Sequence, residues 1–241
     1  MVIIRAVIAL AAMNQLSLFQ MDVYNVFLSG DLEKEVYMQL PPGFGDDVNL
    51  INEAKDILQH AFKMKGLGIL KYFLGIEVCR SQKRILLCQR KYALELISEL
   101  GLGGSKPAVT PMEQNRKLTT IEYDLYSKLH DDVALTDVRE YRRLVGKLLY
   151  LTITTPDIAY SVQTLSQLMQ SPKKSHLEVA YRIVRYIKNK LGLGILMSSE
   201  GGTTLKAYCD VNWESYPNSR RSITGYLVKL GSSLKSWKTK K

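Results

Sequence analysis

The chain has 241 residues, 46 % hydrophobic and 23 % charged, which is the balance of a globular protein and excludes a wholly disordered chain. No apolar run of 18 residues lacks a charge, which argues against a transmembrane helix. Cys79, Cys88 and Cys209 are odd in number and show no paired spacing, so free thiols in a reducing, intracellular compartment (cytoplasmic or nuclear) are expected.

The net charge of +10 is unevenly placed. Residues 1–138 hold 15 basic and 17 acidic side chains, whereas residues 139–241 hold 18 basic and 6 acidic, net +12. A basic half of this kind points to a polyanion partner, most simply nucleic acid; a solvated surface that aids solubility accounts for it equally well.

The opening MVIIRAVIALAAMNQ has no basic stretch ahead of its apolar run, and Arg5 interrupts that run, so a helix over 3–18 is expected in place of a signal peptide. QMDVYNVFL (20–28) reads as a strand bearing Asp22, and EVYMQL (35–40) as a second extended piece. PPGFGDD (41–47) is turn chemistry. From Asn52, apolar residues at three-to-four spacing predict a helix ended by Gly66 and Gly68. KYFLGIEV (71–78) and RILLC (84–88) form a predicted hairpin, followed by a helix with Ala93, Leu96, Ile97 and Leu100 on one face and Gly101 as its stop. Residues 101–136 lack periodicity and read as a connector.

Three helices follow. The first, 137–152, turns Leu144, Val145, Leu148 and Leu149 inward and sets Arg139, Arg143 and Lys147 on another face. The second opens at Thr155-Pro156 and buries Ile158, Val162, Leu165 and Met169. The third opens on Ser175-His176-Leu177-Glu178, read as a capping box, with Leu177, Ala180, Val184, Ile187 and Leu191 inward and Arg182, Arg185 and Lys188 outward. Strands are expected at 194–198, 205–210, 224–230 and 234–237.

The three histidines are scattered and none has a cysteine at metal-ligand spacing, which argues against zinc; serine-hydrolase and phosphate-loop motifs are absent. What remains is carboxylates. Asp46 and Asp47 at a turn, with Asp22 on a nearby strand, are the residue types that two-metal phosphoryl transfer requires, because Mg²⁺ prefers a few hard carboxylate oxygens. The same pair is what a solvated turn looks like. Asp210 closes an apolar strand, as a metal ligand or as a strand terminator.

Longer motifs carry a resemblance. QMDVYNVFLSGDLEKEVYMQLPPGF (20–44) resembles a palm segment of copia-type retrotransposon reverse transcriptases. FKMKGLGILKYFLGIEV (62–78), CQRKYALELISELG (88–101) and TPMEQN (110–115) are similar to segments downstream of that active site. YRRLVGKLLYLTITTPDIAYSVQTLSQLMQSP (141–172) and HLEVAYRIVRYIK (176–188) resemble the helical connection, and residues 205–241 resemble the opening of the RNase H domain. The match runs nearly end to end in family order. It implies an α+β class: a partial reverse-transcriptase palm (1–104, interrupted near 44–46), a connector (105–136), a helical connection (137–191) and a truncated RNase H-like sheet (192–241). It implies Asp22, Asp46 and Asp47 as polymerase ligands for Mg²⁺ and Asp210 as an RNase H ligand. RNA and DNA are the implied partners, with Arg139, Arg143, Lys147, Arg182, Arg185, Lys188, Arg220 and Arg221 as phosphate contacts, and no membrane.

The departures are specific. Phe44-Gly45 stands where the family's Tyr-Val precedes Asp-Asp, and the long segment that separates Pro-Pro-Gly-Phe from that pair is missing. Most of the fingers are expected to lie upstream of Met1, and the remaining RNase H carboxylates downstream of Lys241. A catalytically inactive Pol fragment is therefore expected. The alternatives are an active RNA-directed DNA polymerase, a non-catalytic nucleic-acid-binding protein, and a helical partner that self-associates through exposed apolar patches on 141–188.

Overall fold

The computed structural model describes residues 1–23, 48–62, 64–114, 116, 118–128, 132–200, 202–212 and 222–240. The extended piece and turn expected over 35–47 lie outside these residues, as do Asp46, Asp47, Arg220 and Arg221. The class is mixed α and β, as the sequence implies.

Helix α1 (Val2–Met13) stops short of residue 18. Asn14 donates its side-chain amide to the Leu10 carbonyl at 3.0 Å, and Gln15 at φ +57° turns the chain into strand β1 (Phe19–Val23). After helix α2 (Val48–Phe62), strand β2 (Met64–Ile69) pairs antiparallel with β1. Gly66 and Gly68 thus lie inside a strand and do not end the helix. The β1–β2 ladder is irregular between Gln20 and Met21, and Gly68 at φ +80° supplies backbone that other residues rarely adopt.

The expected hairpin forms. Strands β3 (Tyr72–Phe73), β4 (Ile76–Arg80) and β5 (Arg84–Cys88) make an antiparallel meander. Helix α3 (Arg90–Glu99) buries Ala93, Leu96 and Ile97, and Gly101 at φ +65° follows it, as the sequence predicts. A fourth strand, β6 (Gly194–Ser198), joins this sheet from the far side of the helical region, pairing from Arg84–Ser198 to Cys88–Gly194.

Between β5 and β6 lies the larger core. The short helix α4 (Ile121–Ser127) precedes α5 (Val138–Leu151), α6 (Ala159–Ser166) and α7 (Lys174–Asn189). Tyr141, Leu144, Val145, Leu148 and Leu151 of α5 pack against Val162 and Leu165 of α6 and Val179, Ala180, Ile183 and Val184 of α7, all buried. Tyr141 is fully enclosed and donates its hydroxyl to the Leu165 carbonyl at 2.9 Å.

Several expected positions shift. Leu149 and Leu191 are exposed, and Leu168 is buried where Met169 was expected, being only half-buried. Thr155-Pro156 opens a 3-10 turn (Pro156–Ile158), and Thr155 makes no side-chain cap. Helix α7 starts one residue before Ser175. Its N-cap is Lys173, whose backbone amide donates to Nδ1 of His176 at 3.1 Å. Ser175 instead donates to Asp132.

The smaller core places α1 on the four-stranded sheet: Ile8, Ala9 and Ala12 meet Ile76, Val78, Ile85, Leu87, Ile195 and Met197. Strands β7 (Leu205–Asn212), β8 (Ile223–Leu230) and β9 (Ser233–Lys240) form a separate antiparallel sheet in that order. Leu234 and Trp237 of β9 close over the smaller core.

One glycine fixes how closely β6 approaches β5. A Cβ at Gly194 would stand against the Leu87 carbonyl oxygen and carbon, far inside van der Waals range, with backbone that has no room to yield. Gly194→Ala is expected to destabilise the chain by about 2–3 kcal/mol, read as a lowered urea midpoint.

Candidate functional site

Asp22 and Asp210 are the two nominated carboxylates among the described residues. Asp22 is exposed on β1, directly opposite Lys65 of β2. Asp210 is exposed on β7, opposite Gly225 of β8. Among the described residues no three His, Cys, Asp or Glu side chains gather as a metal site. The described residues therefore do not by themselves fit Mg²⁺, which needs several carboxylate oxygens at about 2.0–2.1 Å in near-octahedral array.

The basic helix faces are largely occupied by the protein's own acceptors. On α5, Lys147 pairs with Glu99 of α3, and Arg143 lies 3.9 Å from the same carboxylate. That pairing holds the Glu99 carboxyl below its ordinary range, chiefly through the Lys147 hydrogen bond. Arg139 lies 3.6 Å from Asp137, with its side chain 95 % exposed. On α7, Arg182 pairs with Glu113 at 3.1 Å and donates to the Thr110 carbonyl at 3.2 Å. Lys188 donates to the Leu102, Gly103 and Ser105 carbonyls, collecting the end of a 3-10 turn (Leu102–Gly104). Arg185 is half-buried, with its Nε unpartnered. Of the six helix cations, Arg139 and Arg143 are the two exposed to solvent, with side chains 95 % and 66 % exposed.

The comparisons with known proteins match this chain to one family. The family model for reverse transcriptase (RNA-dependent DNA polymerase) matches residues 44–114. The Pol polyprotein of transposon RE1 from Arabidopsis thaliana is 30 % identical over 308 residues, covering 99 % of this chain and 20 % of that protein. An uncharacterized mitochondrial protein of Arabidopsis thaliana is 32 % identical over 199 residues, covering 82 % of this chain and 78 % of that one. The chain belongs to the copia-type retrotransposon Pol family. The Pol polyprotein of transposon TNT 1-94 from Nicotiana tabacum is similar too, 26 % identical over 98 % of this chain and 23 % of its own length. The copia-type chain thus spans about a fifth of the length of the Pol polyproteins it matches. No solved structure matches it. No helix among its described residues is long and apolar enough to cross a membrane.

Two charge clusters in this copia-type chain escaped the reading of the sequence. The first pins the supposed connector. Lys173, 2 % exposed, pairs with Asp124 of α4, lies 3.3 Å from Asp132, and donates to the Thr119 hydroxyl at 3.0 Å. Thr119 in turn donates to Asp124 at 2.6 Å. Because His176 Nδ1 accepts the Lys173 amide, its Nε2 carries the proton and donates to the Thr119 carbonyl at 3.1 Å. Burial, then the Lys173 ammonium, push the His176 pKa down to about 4. No spacing rule joins residues 119, 124, 132, 173 and 176, so their convergence is purely tertiary.

The second cluster is less balanced. Arg5 of α1 stacks on Trp237, 4.0 Å from the ring centre, and its Nε and Nη1 have no partner. The Lys235 ammonium donates to the Arg5 carbonyl at 3.1 Å and approaches the Met197 sulfur at 3.6 Å. Both side chains are more than nine-tenths buried, and no described carboxylate pairs with either. Desolvation, then the neighbouring Arg5, push the Lys235 pKa down to about 8.

Both clusters titrate in the same sense, stability rising with pH, but in separate pH windows. His176 is held neutral in the fold, so its contribution is complete above the free value near 6.5 and is lost as pH falls toward 4. Between pH 7 and pH 5 the loss is about 2 kcal/mol, and His176→Gln, which keeps an acceptor without titrating, is expected to abolish that part of the urea-midpoint shift. Lys235 is protonated at a cost below pH 8, so stability rises as pH goes from about 8 to the free lysine value of 10.5. Lys235→Met is expected to raise the thermal midpoint at pH 7 and remove that alkaline rise.

Proposed function

We propose that this chain is a catalytically silent segment of a copia-type reverse transcriptase and RNase H polyprotein. The supporting observation is the interruption of the polymerase motifs. Phe44 runs directly into Gly45-Asp46-Asp47, and the reverse-transcriptase family match begins at residue 44. The alignment to the RE1 polyprotein occupies 308 positions against the chain's 241, so at least 67 positions of the matched stretch have no residue here. In the match to the mitochondrial protein, 199 positions over 82 % of the chain, almost every position by contrast has a residue in this chain.

Physical reasoning turns this interruption into a loss of activity. Metal-assisted nucleotidyl transfer needs carboxylates held to within about half an ångström by the elements behind them. In this reading Asp22, Asp46 and Asp47 descend from the polymerase ligands, and Asp210 from the first RNase H ligand. The apolar strand that would aim Asp46 and Asp47 is among the missing residues, and Asp22 faces Lys65 across a two-stranded ladder. Mg²⁺ in intact relatives would supply charge neutralisation of the transferring phosphate. In this chain the described carboxylates do not fit it, and no step is assigned to it.

RNA and DNA are the partners that membership of the family supplies. Arg139 and Arg143, exposed and only loosely paired at 3.6 Å from Asp137 and 3.9 Å from Glu99, are the helix cations best placed for phosphate, whereas Lys147, Arg182 and Lys188 would have to exchange an internal acceptor for it. Primer extension with the purified chain on an RNA template, in Mg²⁺ or Mn²⁺, is expected to give no product, and an RNA–DNA heteroduplex is expected to stay uncleaved. Extension that disappears in Asp22→Asn, or cleavage that disappears in Asp210→Asn, would overturn the proposal.

A further inference from the structure

Strand β7 has one neighbour. The order β7-β8-β9 leaves its other edge without a strand among the described residues, and every described residue from Leu205 to Val211 is exposed. Leu205 is 68 % exposed and Tyr208 56 %, with Val211 close behind. A long exposed edge with apolar side chains is a template for another strand. The side chains of β7 specify which strand.

Successive side chains alternate, so Leu205, Ala207, Cys209 and Val211 share one face, and Lys206, Tyr208 and Asp210 the other. Neither the Lys206 nor the Asp210 side chain forms an ion pair or hydrogen bond with a described residue. Four residues apart in a strand, they stand roughly 13 Å from each other and cannot pair within one copy. They are symmetric about Tyr208.

We propose that two copies of this chain associate antiparallel through their β7 edges, about a twofold axis at Tyr208, with Lys206 of each copy opposite Asp210 of the other. The same register sets Leu205 opposite Val211 and Ala207 opposite Cys209 on the other face. It would join the two three-stranded sheets into one of six. Registers two residues away lose the charge match. Centring on Ala207 sets Lys206 against Tyr208, and centring on Cys209 sets Lys206 against Asn212. Self-complementarity of one patch is what a twofold interface requires. The occupant is therefore a second copy, by charge complementarity along the strand. The proposal is independent of whether the chain is catalytically silent.

The test is sedimentation velocity of the full chain over a wide concentration range. A monomer–dimer equilibrium is expected, weakening with added salt because the pairs are exposed. Lys206→Asp and Asp210→Lys each turn both attractive pairs of the dimer into like-charge pairs, and each is expected to weaken dimerisation about tenfold. The double variant Lys206→Asp with Asp210→Lys restores opposite charges in the same register and is expected to recover the original affinity to within about threefold. Both positions are exposed, so the variants retain their fold, checked by circular dichroism. A chain that is monomeric throughout would overturn the proposal. So would a dimer indifferent to the single changes, which lies elsewhere, or a double variant that stays as weak as the singles.

Discussion

The structure depends on the pairing of β5 with β6. These strands come from opposite sides of the helical region, and their five-residue ladder is where the chain closes on itself. Helix α3 leaves directly from β5 and α7 leads back to β6, so both core helices are anchored at one strand pair. On the sheet, the same ladder gives α1 its floor through Ile85, Leu87, Ile195 and Met197. Gly194 is where the ladder tolerates no side chain. Closing so long a loop costs entropy that grows only slowly with length, and the buried apolar face on the sheet offsets it.

Charge counted along the chain differs from charge presented to solvent. The +12 of the C-terminal half is real, yet three of six nominated helix cations, Lys147, Arg182 and Lys188, spend their donors on Glu99, Glu113 or backbone carbonyls. A side chain that already holds a carboxylate must give it up to hold a phosphate. The interior divides in the same way. Lys173 sits among two aspartates, a threonine and a neutral histidine, where each donor has an acceptor. Arg5 and Lys235 sit together without a carboxylate among the described residues, and the α1–β9 contact carries that cost.

Much of the secondary structure was legible in the sequence, because periodicity and punctuation agree in the hairpin at 71–88, in α3 with its Gly101 stop, and in the buried faces of α5 and α7. The misreadings have physical causes. Gly66 and Gly68 look like a helix stop because glycine ends helices more often than it bends strands. Ser175-x-x-Glu178 satisfies the capping-box pattern, but Asp132 binds Ser175 and the N-cap is Lys173, whose amide is accepted by His176. Thr119, Asp124 and Asp132 are held to Lys173 by ionic contacts and hydrogen bonds, and those have no period to read.

The sequence by itself determined the family, the mixed α and β class, the uneven charge and the direct run of Phe44 into Gly45-Asp46-Asp47, because these reside in residue order and local spacing. Tertiary structure alone decided that β6 returns to β5, that the basic stripes meet Glu99 and Glu113, and that, among the described residues, Lys173 is neutralised, Lys235 is not, and β7 is left as an edge. Each of these depends on which distant residues become neighbours once apolar faces are buried, and on the dielectric and hydrogen-bond partners found there. Residue order carries no direct record of that proximity.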